Sequence, residues 1–84
     1  MSPVFKRQDG FTFKVFSNEE ERMHIHVFSA ENEAKFWLEP VVELAENFGF
    51  SSKEIRKLQK IIQDNGEYFK RQYIEHIGKR VDDK

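Results

Sequence analysis

The chain has 84 residues, no cysteine, and 14 lysines and arginines against 15 acids, a formal charge of -1. This excludes a disulfide framework, a thiolate metal site and a cysteine nucleophile, and it leaves no whole-molecule field to attract nucleic acid, so such binding would need a local patch. A domain this short has a small core, and 9 phenylalanines supply the large rings that fill one despite a mean hydropathy of -0.75.

The first ten residues hold no apolar run of signal-peptide length, and nothing later approaches a membrane span. The expectation is a cytoplasmic protein with no membrane contact.

Pro3 to Phe5 reads as a short strand and Gln8-Asp9-Gly10 as its turn, because Asp-Gly favours the positive φ angles of a tight hairpin. Phe11 to Phe16 alternates, with Phe11, Phe13 and Val15 toward a core and Thr12, Lys14 and Phe16 away from it. Ser17 to Arg22 is polar and acidic and reads as a connecting loop. In His24-Ile25-His26-Val27 the same alternation sends Ile25 and Val27 to the apolar face and sets His24 beside His26 on the other. Ser29 to Asn32 turns the chain into Glu33 to Leu38. There Ala34, Phe36 and Leu38 are apolar-facing, while Glu33, Lys35 and Trp37 join the histidines. Short connections between sequential strands predict an antiparallel meander.

From Glu39 the spacing lengthens to about 3.6 residues. Pro40 in a first turn, then Val41, Leu44, Ala45 and Phe48, predict a short helix stopped at Gly49. Ser51 and Glu54 form a capping box, with Phe50 and Ile55 placed as a hydrophobic staple. The helix they open is expected to run to Ile77, with Gly78 as its stop and Ile55, Leu58, Ile62, Phe69 and Tyr73 as its apolar stripe. The step Asp64-Asn65-Gly66 marks a kink or a break within it, since an interior glycine costs roughly 1 kcal/mol relative to alanine.

The expected fold is α+β: an antiparallel meander of three to four strands with one short and one long C-terminal helix packed on one face. Residues 1–78 form a single domain and 79–84 a polar tail. Its core is expected to hold Phe11, Phe13, Val15, Ile25, Val27, Phe36, Leu38, Leu44, Phe48, Ile55, Leu58, Ile62 and Phe69.

Three groups of residues carry chemistry. His24 and His26 could act as general acid and base on a phosphodiester, with Lys35 or Lys14 stabilising the developing charge. They could instead ligate zinc if His76, Glu33 or a carboxylate from Glu19 to Glu21 supplied a third ligand. They could also sit half-exposed on the sheet with no chemical role, or within a protein interface. Phe16 and Trp37, placed on the polar face, are either covered by another segment or form an aromatic anchor or base-stacking platform. Lys53, Arg56, Lys57, Lys60 and Arg71 share one side of the long helix, as a solvated outer face or a strip for RNA or an acidic partner. His76, near the end of that helix, is better placed to cap carbonyls than to bind a ligand. No cofactor is implied by these patterns, and they leave open whether the chain is an enzyme.

Phe16-Ser17-Asn18-Glu19, His24-Ile25-His26-Val27, Ala34-Lys35-Phe36-Trp37-Leu38, Glu43-Leu44-Ala45 and Gly49-Phe50-Ser51, with Asn65 in the long helix, form an ordered set across nearly the whole chain. In that set the chain resembles the small bacterial family catalogued as domain of unknown function 4160. The resemblance implies a compact α+β domain, often encoded beside a second small protein in a toxin–antitoxin-like arrangement, in which this member is usually taken as the toxin. It implies a small antitoxin-like protein partner, and the aromatic rings expected on the polar face make the surface of His24, His26, Lys35 and Trp37 the one such a partner is expected to cover. Two departures stand out: Arg22-Met23 replaces the proline frequent before the His-x-His pair, and Asn65-Gly66 replaces helix-favouring residues.

Overall fold

A computed structural model describes residues 4–15 and 22–77, the last two in backbone only. The described chain runs β1 (Val4–Gln8), β2 (Phe11–Lys14), β3 (His24–Phe28), β4 (Glu33–Trp37), β5 (Glu43–Phe48), α1 (Ser52–Asp64) and α2 (Gly66–Ile77). The strands form one antiparallel sheet in the order β1-β2-β3-β4-β5. The α+β class therefore stands, with five strands where three to four were expected.

Local sequence fixes most of the turns. Asp9 at φ 55 and Gly10 at φ 85 make the two-residue connection from β1 to β2, a pair of positive φ angles matching the twist of the flanking strands. Ser29 and Asn32 exchange backbone hydrogen bonds of 3.0 and 3.2 Å to close the turn from β3 to β4. Register then decides the faces. Phe13 lies opposite Val27, Ile25 opposite Phe36, and Val27 opposite Ala34. That apolar face is covered by Leu58, Ile61 and Ile62 of α1 and by Phe69 of α2, whose ring lies 5.4 Å from that of Phe13 and 6.4 Å from that of Phe5. Phe13, Ile25, Val27, Phe36, Leu58, Ile62 and Phe69 have no exposed surface. Each such side chain contributes about 1.5–3 kcal/mol by leaving water.

The expected short helix over residues 40–48 is instead β5, the edge strand. Phe36 pairs with Leu44 but Lys35 with Glu46, so a bulge at Ala45 shifts the register by one residue. Leu44 therefore lies on the apolar face, opposite Phe36, while Phe48 lies on the outer face, opposite Glu33. Neither belongs to the core, at 36% and 60% exposed. Pro40 lies in the connection that precedes β5. Gly49 does need its special backbone, at φ 106, but it ends a strand. A Cβ there would overlap the side chain of Asn32.

The capping box at α1 is present in full: Ser51 Oγ accepts from the Glu54 amide at 3.1 Å and the Glu54 carboxylate accepts from the Ser51 amide at 2.9 Å. Phe50 is buried ahead of it and Ile55 packs against the core. The long helix breaks at Asn65, which leaves helical geometry at φ -115, ψ 21, while its side-chain amide donates to the Ile61 carbonyl at 2.8 Å. Phe69 N–H still donates to the Asn65 carbonyl, which carries the chain directly into α2. The Tyr68 hydroxyl of α2 donates to the Phe5 carbonyl of β1 at 2.7 Å.

Candidate functional site

The outer face of the sheet, opposite Ile25 and Phe36, carries Lys14 from β2, His24, His26 and Phe28 from β3, and Glu33, Lys35 and Trp37 from β4. Cross-strand pairing sets His26 between Lys14 and Lys35 and puts His24 opposite Trp37. The expected assembly of His24, His26, Glu33, Lys35 and Trp37 on one face is thus present. Phe16, expected beside them, lies outside the described residues, as do Glu19 to Glu21.

The two imidazoles meet edge to face, 5.3 Å between ring centroids. Their accessibility differs from the half-exposed surface expected of them. His24 has no exposed surface, and His26 has 8%. Two rings stand against His24: Tyr73 of α2 meets it edge-on at 5.7 Å and Trp37 of β4 at 6.0 Å. His24 Nδ1 lies 2.7 Å from the Arg22 carbonyl oxygen. A carbonyl only accepts, so Nδ1 carries a proton and the ring is fixed in orientation. His26 stacks on Phe28 at 6.4 Å and has the Glu33 carboxylate 3.8 Å from its Nδ1. In this arrangement His24 supports the face from beneath and does not present itself to a substrate.

What the face does present is aromatic surface with cations laid over it. The Lys14 ammonium sits 4.9 Å from the centroid of Phe28. Over Trp37 lie both the Arg22 guanidinium, at 4.3 Å, and the Lys35 ammonium, at 4.6 Å. Each such contact stabilises by about 0.5–1 kcal/mol when exposed and more when dry. Trp37, Phe28, Lys14 and Lys35 are all partly exposed. Arg22 also donates from Nε to the Glu39 carbonyl at 2.8 Å and lies 3.8 Å from the Glu43 carboxylate. It ties the entry of β3 to the exit of β4. Sequence reading missed Arg22, whose partners lie 15 to 21 residues on, and it missed Phe28 and Phe48, whose placement depends on register.

Lys53, Arg56, Lys57 and Lys60 are exposed on α1, away from this face. Lys57 lies 3.9 Å from Asp9 and Lys60 lies 3.6 Å from Asp64, so two of the four have acidic neighbours. Glu43 and Glu46 belong to β5. The side chain of His76 lies outside the described ones. Among the described residues no three of the His, Asp and Glu side chains converge as a metal-binding set, and no helix is long and apolar enough to cross a membrane.

No curated protein and no solved structure matches the chain. The family model described as Domain of unknown function (DUF4160) matches residues 10–73, from the first hairpin turn to Tyr73, and the chain belongs to that family.

Proposed function

We propose that this DUF4160 domain is the toxin-like, partner-binding member of a two-protein module, and that a small antitoxin-like protein covers the outer sheet face around Trp37. The observation that carries this reading is the Trp37 ring, partly exposed on a sheet face and overlaid by Arg22 and Lys35. Aromatic rings and arginine are the side chains on which protein interfaces concentrate their binding energy, and a polar, solvent-accessible rim surrounds them. The burial of His24 supports the same reading, since a ring without exposed surface orients its neighbours and does not take up a substrate proton.

Co-expression with the protein encoded beside this one tests the proposal. A stable complex is expected, with slowed growth when this chain is expressed alone and relief when both are present. Trp37→Ala should weaken the complex by tenfold or more, given the roughly 2 kcal/mol or larger effect typical of a hot-spot aromatic. Failure to co-purify, together with normal growth, would remove the reading. RNA cleavage by the isolated chain that survives Trp37→Ala would point to an enzyme instead.

A further inference from the structure

The two edges of the sheet are built differently. On β1 the pairing is irregular between Val4 and Lys6, the Phe5 carbonyl already accepts from the Tyr68 hydroxyl, and Lys6 and Arg7 add charge. These are the devices that keep an edge from recruiting another strand. On β5, by contrast, the chain leaves Leu44 and Phe48 exposed, with Val41 just before them at 62%. Its charged residues are both acidic, Glu43 and Glu46. Glu43 meets Arg22 only at 3.8 Å, with both side chains solvated, a pair too weak to withdraw it from a partner.

A second feature adjoins the same strand. A hollow of about 320 Å³ opens where the connection into β5 meets the break between α1 and α2, with Leu38, Val41 and Val42 on one side and Gln63, Glu67 and Lys70 on the other. It lies on the face that carries Leu44. A segment pairing antiparallel to β5 would run from Phe48 toward Glu43 and pass on to this hollow.

We infer that β5 is a strand-addition edge, and that the partner contributes an extended segment in which cations face Glu43 and Glu46 and a large apolar side chain enters the hollow. In strand addition the main chain supplies affinity while pockets for alternate side chains supply selectivity. The charge on β5 selects the occupant. A second copy offering its own β5 would bring two pairs of carboxylates onto neighbouring strands. A second copy offering β1 would present an edge whose Phe5 carbonyl is taken, and head-to-tail pairing of that kind runs on into a ring or a filament and does not stop at a pair. A basic, apolar strand from another protein meets neither obstacle. The inference rests on the partner-binding reading above and adds to it where and how the partner attaches.

The test uses the full chain co-expressed with the protein encoded beside it, compared with the free chain by amide hydrogen exchange. Amides within 43–48 are expected to gain protection in the complex. The double variant E43K/E46K should weaken the complex by tenfold or more while leaving the free chain folded, with a thermal melt only a few degrees lower because Glu46 stands opposite Lys35 and Glu43 lies near Arg22, and Val41→Asp should weaken the complex as well. A complex that protects residues 24–37 but not 43–48, or that tolerates the double reversal, overturns the strand-addition inference and leaves partner binding intact. Protection of 43–48 in the free chain that rises with its concentration makes the occupant a second copy and also overturns it. If no complex forms, the partner-binding reading fails and this inference falls with it.

Discussion

Asn47 and Phe50 are bonded to each other twice: the Asn47 side-chain amide donates to the Phe50 carbonyl at 3.0 Å, and its oxygen accepts from the Phe50 amide at 3.0 Å. One side chain thus takes the place of a strand neighbour across the bend at Gly49 and hands the chain from β5 to the capping box of α1. Asn47→Ala is expected to cost about 1 kcal/mol, because it removes two partly solvated hydrogen bonds. For a domain of this size that lowers the melting temperature by roughly 4–8 °C. Asn47→Asp keeps the acceptor and loses the donor, and should fall between the two in a thermal melt.

The two turn glycines separate backbone strain from collision. Gly10 has φ +85 and nothing within 4 Å of an added Cβ, whereas Gly49 has φ +106 and would run into Asn32. Gly10→Ala is expected to cost about 1 kcal/mol. Gly49→Ala should cost about 2–3 kcal/mol, since strain and overlap add. Urea denaturation of both, with Gly49→Ala repeated in an Asn32→Ala background, checks this. The second background should recover part of the loss.

His24 should behave as a structural residue. His24→Ala leaves a cavity and an unpaired Arg22 carbonyl, and is expected to destabilise by roughly 2–4 kcal/mol. His24→Asn places a side-chain N–H near the position of Nδ1 and should recover about 1 kcal/mol of that. The measurement is the urea midpoint at constant m. A neutral His24→Ala would mean that the ring is not part of the packed structure.

The edge strand β5 and the strand beside it, β4, give a sharp contrast between two phenylalanines. Phe36 is fully buried and Phe48 is 60% exposed. Phe36→Ala is expected to cost about 3–5 kcal/mol, whereas Phe48→Ser should stay within roughly 0.5 kcal/mol of the parent. Comparable losses at both sites in a chemical melt would put Phe48 back in the core.

Legibility in the sequence followed packing. Strands β2, β3 and β4 have one face against the helices, so their alternation is enforced and could be read directly, as could the Asp9-Gly10 hairpin and the Ser51/Glu54 cap, which rest on local chemistry. The edge strand β5 escaped because its side chains are largely solvated and nothing compels a two-residue period. The bulge at Ala45 then separates Leu44 and Phe48 onto opposite faces although they stand four residues apart, a spacing that reads as one side of a helix. The grouping of His24, His26, Lys35 and Trp37 could be read from alternation alone. Their accessibility could not, because it depends on tertiary contacts such as that of His24 with Tyr73, which comes from α2 almost fifty residues further along the chain.

The hydrogen bond from the Tyr68 hydroxyl to the Phe5 carbonyl spans 63 positions of sequence. During synthesis the first strand therefore emerges long before the residue that secures its outer side, and a nascent chain that has not reached Tyr68 lacks the hydroxyl that donates to the Phe5 carbonyl. Arrival of α2, more than hairpin closure, is the moment at which the N-terminal border of the sheet becomes sealed, and premature termination before Tyr68 would yield a species prone to sticking along that border.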